Sequence, residues 1–62
     1  MYCIYTKRPK DKRFREDCAE TDSFERADEW LEKMIRNDNE RGARGNRYQI
    51  RDGRKIVREA EN

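Results

Sequence analysis

Apolar residues recur with a helical period in one stretch of this chain. Phe24, Ala27, Leu31, Met34 and Ile35 stand at i, i+3, i+7, i+10 and i+11, which at ~100° per residue falls on a single stripe of a helix. The spacing predicts an amphipathic helix over residues 23–37 with that stripe turned to a core. Thr21, Asp22 and Ser23 offer side-chain oxygens to its first turn, and Asp22 with Glu25 has the spacing of a capping box. Glu29 with Lys33 and Glu32 with Arg36 add i,i+4 pairs on the opposite, solvated face. Asn37 and Asn39 signal the end. Gly42-Ala43-Arg44-Gly45 has the GxxG form of the phosphate-gripping loop in KH domains, but that loop joins two helices. Here a strand follows, so the four residues read as a cap and a turn.

Both flanks carry β-like patterns. Tyr2-Cys3-Ile4-Tyr5-Thr6 is rich in strand formers and is stopped by the basic, proline-containing run from Lys7 to Lys12. Residues 14–19 are expected to return as its antiparallel partner. Two registers are open: one sets Cys3 beside Cys18, and a slip by one residue puts Ile4 and Phe14 on the same face. Downstream, residues 47–50 and 54–58 flank Asp52-Gly53, a strong hairpin signal. A two-residue turn groups Tyr48, Ile50 and Val57, whereas a three-residue loop with Gly53 as the bulge residue groups Tyr48, Ile50 and Ile56. The second is preferred because it keeps the core face apolar and leaves Arg47, Gln49 and Arg51 on the other.

The predicted order is therefore ββαββ: an α+β fold with one amphipathic helix packed on one face of a small antiparallel sheet. Strand directions allow the orders 2-1-3-4 and 1-2-4-3, and a right-handed crossover between parallel, non-adjacent strands favours the first. One domain is expected to cover 1–62, with residues 59–62 frayed.

Composition sharpens this picture. With 48% charged and 32% apolar residues, the chain stands close to the balance at which ordering entropy prevails, so the periodicity is what argues for a fold. The net charge of +2 conceals an asymmetry. Residues 1–15 sum to +5, residues 16–40 to −7 and residues 41–62 to +4. No charged leader or long apolar run opens the sequence, so a cytoplasmic protein is expected, with Cys3 and Cys18 as thiols. With no histidine, neither a metal site nor a cofactor is expected. A single serine, at a predicted helix cap, and cysteines without an activating partner argue against an enzyme and a small-molecule substrate.

Two binding functions remain. The first is a small regulatory protein acting through protein contacts, of a size common among accessory proteins of phages and bacteria. Trp30 at the edge of the stripe, with Met34 and Arg26 beside it, is the expected interface, and a homodimer is one way for so small a scaffold to gain stability. The second is a nucleic-acid-binding module. Arg47 and Arg51 on the uncovered sheet face, with Lys7, Arg8, Lys10, Lys12 and Arg13 from the first hairpin, would meet phosphates, and Tyr2 or Tyr5 would stack. Residues Thr21-Asp22-Ser23-Phe24-Glu25-Arg26-Ala27-Asp28-Glu29-Trp30 are similar to the strand-to-helix junction of the arm-type DNA-binding domains of phage integrases. That resemblance implies DNA binding, although those domains carry three strands before the helix and little after it.

Overall fold

The structure is a computed structural model that describes residues 1–17 and 20–62. Four strands and one helix follow in the order β1 (Tyr2–Lys7), β2 (Arg15–Glu16), α1 (Phe24–Glu40), β3 (Arg47–Asp52) and β4 (Lys55–Glu61). The sheet is antiparallel throughout, in the order β2-β1-β3-β4. Both the ββαββ fold and the 2-1-3-4 order thus match what the hydrophobic pattern predicts.

The helix covers one sheet face because each element contributes an apolar row to it. Ile4 of β1 stands opposite Ile50 of β3, and Tyr48 lies two residues away on the same side. With Ala27 and Leu31 from α1 they form a core with no solvent exposure, ringed by Tyr2, Trp30, Met34, Ile35, Val57 and Ala60. Phe24, expected in this stripe, lies at the margin of the core: it is 38% exposed and makes an edge-on contact with Tyr2, ring centroids 5.7 Å apart.

The helix ends are set by hydrogen bonds rather than by the expected capping box. Ser23 is the N-cap, its Oγ accepting from the Arg26 backbone N–H at 3.2 Å. At the far end α1 runs three residues past the predicted Asn37, and Gly42 then adopts φ +74°. Gly42 N donates to Asn39 O at 3.1 Å and Ala43 N to Asp38 O at 2.8 Å, which is the paired bonding of a Schellman cap. The glycine pair is thus a cap and turn, as its place before a strand implies.

Two expectations about the last hairpin are corrected. Its turn is Gly53-Arg54, closed by Asp52 opposite Lys55, and the irregularity lies further along: Ile50 faces Arg58 while Arg51 faces Ile56, so Val57 is an extra residue in β4. The bulge rotates Val57 onto the core and leaves Ile56 46% exposed, the reverse of the preferred grouping. The tail does not fray either. Residues through Glu61 pair with β3, and Asn62 donates to Asn46 O and, through its side chain, to Asn39 Oδ1 at 3.0 Å and Ala43 O at 2.7 Å.

In the first hairpin Tyr5 faces Glu16 and Thr6 faces Arg15. Whether Cys3 meets Cys18 lies outside the described residues. Among the described residues no helix is long and apolar enough to cross a membrane.

Candidate nucleic-acid interface

Strand alternation sorts the side chains of β1 and β3 into two sets. Ile4, Thr6, Tyr48 and Ile50 go to the helix side, which leaves Cys3, Tyr5, Lys7, Arg47, Gln49 and Arg51 on the side that no helix covers. Phe14, just before β2, folds onto the same open face. The Arg47 guanidinium lies over the Phe14 ring at 5.6 Å, and Arg51 reaches Phe14 at 5.4 Å and Tyr5 at 4.1 Å. Two aromatic rings and two guanidinium groups thus interleave at the centre of the open face.

Arg51 is held on a second side as well. Its Nε donates to Gln49 Oε1 at 2.9 Å, and Gln49 Nε2 in turn donates to Glu59 Oε1 at 3.0 Å. Gln49 is 5% exposed, so the relay runs beneath the cluster. Acidic residues flank the face at its margins, Glu16 opposite Tyr5 and Glu59 and Glu61 opposite Gln49 and Arg47.

The basic loop between β1 and β2 adjoins this surface. Its turn is closed by Asp11, whose backbone N–H donates to Arg8 O at 3.0 Å and whose carboxylate accepts from Arg8 N at 3.1 Å. Gly45, at φ +79°, lets the chain pass close to Pro9: a Cβ there would stand 3.2 Å from Pro9 Cγ. Lys10 within the turn and Lys12 and Arg13 beyond it are exposed and, with Asp11, Phe14 and Arg15, line a shallow cleft of about 430 Å³. Phe14 belongs to both cleft and cluster, which joins the two into one surface.

Of the residues expected to bind nucleic acid, Lys7, Arg47 and Arg51 share the open face, and Lys10, Lys12 and Arg13 stand at its border. Arg8 does not join them. It turns to the helix side, where its Nη1 donates to Asp38 at 2.6 Å. Asp38 is 1% exposed and also accepts from Arg41 Nη2 and from the Tyr48 hydroxyl, each at 2.5 Å. Burial alone would raise the Asp38 pKa, but the hydrogen bonds from Tyr48, Arg8 and Arg41 outweigh it and hold the carboxyl below its usual range. Burial and the bond to Asp38 push the Tyr48 hydroxyl up to about 12. This network is a structural lock between the basic loop, the helix end and β3. Its signal in the sequence is positional: Asp38 follows Ala27, Leu31 and Met34 at i+11, i+7 and i+4, on the same stripe.

Of the residues expected at a protein interface, Trp30 and Met34 are half-buried and Arg26 is exposed. Trp30 and Met34 pack against the core, with Met34 Sδ 3.6 Å from the Thr6 hydroxyl that donates to Asp17 Oδ2 at 2.7 Å. Of the two alternatives for a stacking residue, Tyr2 sits on the helix side against Phe24 and Tyr5 on the open face. Phe14 joins Tyr5 there, a role that depends on the register of the first hairpin. One further cluster has no signal in the sequence: Cys3, Glu16 and Glu20 bring ligand atoms within 4.8 Å of one another, a set that can hold a metal ion, and Cys3 Sγ lies 3.5 Å from Glu16 Oε1.

Comparison of this chain with protein-family models, with curated proteins and with solved structures finds no match in any of the three.

Proposed function

We propose that this protein binds single-stranded nucleic acid on its open sheet face. The reading is carried by one observation, the interleaving of Tyr5 and Phe14 with Arg47 and Arg51 on a face without a covering helix. Aromatic rings and guanidinium planes stack on bases of any sequence, and basic side chains around them meet phosphates. Lys7, Lys10, Lys12 and Arg13 supply those contacts. The helix is not the binding element: α1 packs its apolar side on the sheet and turns acidic residues such as Glu25, Glu29 and Glu40 to solvent, so it offers no basic recognition face.

Fluorescence anisotropy of a labelled single-stranded oligonucleotide, titrated across salt, tests the reading. Affinity is expected to fall steeply as salt rises. Each phosphate neutralised on a single strand adds ~0.7 to the log–log slope, so Lys10→Gln, Lys12→Gln and Arg13→Gln together are expected to reduce it by about 2. No binding at low salt removes the proposal.

Protein contacts are a second reading, favoured by three exposed apolar side chains. Met1, Phe24 and Ile56 are 60%, 38% and 46% exposed, Ile56 on the open face opposite Arg51 and Phe24 on the helix side against Tyr2. Light scattering across concentration decides it: a dimer that disappears in Ile56→Lys supports this reading, and a monomer at every concentration counts against self-association.

A further inference from the structure

Resting on the reading of the open face as a single-strand platform, we propose that Arg51 reads a base there, and that the base is guanine. An arginine used only for phosphate needs reach, and freedom to move costs it little. Arg51 instead is pinned from two directions. Its guanidinium lies over Tyr5 at 4.1 Å, and its Nε is spent on Gln49 Oε1, which Glu59 holds through Gln49 Nε2. Among the described residues its two terminal nitrogens make no hydrogen bond, so they project a rigid donor fork into the aromatic cluster. Phosphate contacts belong to the rim, where Lys10, Lys12 and Arg13 are exposed.

A fork of donors requires two adjacent acceptors on one base edge. Guanine offers O6 and N7, the commonest partner pair of arginine. Adenine sets a donor beside N7 and thymine presents a single acceptor with a methyl group. Cytosine pairs two acceptors on its Watson–Crick edge but brings a smaller ring to the stack beside Tyr5 and Phe14. Guanine satisfies fork and stack together.

The test uses the full chain and labelled oligo-dT strands carrying one central dG, dA, dC, or 7-deaza-dG. The dG strand is expected to bind roughly tenfold or more tightly than oligo-dT, and 7-deaza-dG, which lacks the N7 acceptor, to forfeit most of that gain. Arg51→Lys retains the charge but not the fork or the stacking plane, so it is expected to weaken binding to every strand and to bring the dG to oligo-dT affinity ratio close to one, with the salt slope kept. Gln49→Met removes the relay at nearly constant volume and is expected to weaken the preference too, with circular dichroism confirming the fold of both variants. Equal binding of all strands overturns the guanine inference and leaves the single-strand platform standing, as does a preference for dC. Absence of binding to every strand, or equal binding of a polyglutamate chain, overturns both.

Discussion

Asp38 is the residue on which the helix side of the molecule turns. A carboxylate with 1% exposure is tolerated because three donors meet it, two of them charged. Asp38→Ala would strand the Tyr48 hydroxyl in the core and leave Arg8 and Arg41 without their partner. Because both arginines are partly exposed and can resolvate, the expected loss is about 3 kcal/mol rather than more, read from urea unfolding. The pH dependence follows from the same hydrogen bonds. The folded Asp38 pKa is depressed, so the unfolded chain binds the proton more readily, and stability present above the ordinary carboxylate pKa is lost as pH falls through the lower folded value. The folded Tyr48 pKa is raised to about 12, so its contribution is intact below the ordinary phenol value and is lost as pH climbs toward 12. In Tyr48→Phe that alkaline loss is expected to shrink, and thermal unfolding followed from neutral to alkaline pH checks it.

At the scale of elements, the helix is positioned by its ends and by one strap. Ser23 rather than Asp22 caps it, so Ser23→Ala is expected to cost about 1 kcal/mol and Asp22→Ala close to nothing, a contrast that urea midpoints resolve. Arg58 of β4 straps the helix to the sheet by donating to Asp28 and to Glu32 at 2.6 Å. The bond to Glu32 is the main reason its pKa rises. The bulge makes this strap possible, since it turns both Val57 and Arg58 toward the helix. It also breaks the alternation of the exposed β4 edge, which discourages strand addition by a second chain. Arg58→Met is expected to destabilise by about 1 kcal/mol, with the difference from the parent shrinking in high salt.

At the scale of the whole molecule, a hydrophobic core with five fully buried members among the described residues must stabilise the entire sheet. A domain of this length has roughly 3–9 kcal/mol in hand at ~0.05–0.15 per residue, and Leu31→Ala is expected to remove about 3 of it. Calorimetry would show that as a large drop in Tm. The thinness of the core explains why the other face stays open, with Arg47 and Arg51 laid over Phe14 and Tyr5 instead of a second helix. Much of this was legible in the sequence. Helical periodicity from Ala27 to Ile35, the Gly42 stop and the strand-forming flanks each depend on residues close together in the chain, so local physics alone determined the five elements, their order and the assignment of Arg47 and Arg51 to the uncovered face. Tertiary structure decided what depends on distant partners. Whether a polar residue on the helix stripe is an end signal or a buried anchor turns on Arg8 and Tyr48, which reach Asp38 from elements thirty and ten residues away. Which of Ile56 and Val57 is buried turns on a one-residue bulge, and whether Arg8 faces solvent or core turns on which side of the sheet its strand ends. Each of these is a choice between near-equal local conformations, settled only when the helix, loop and sheet compete for the same small buried volume.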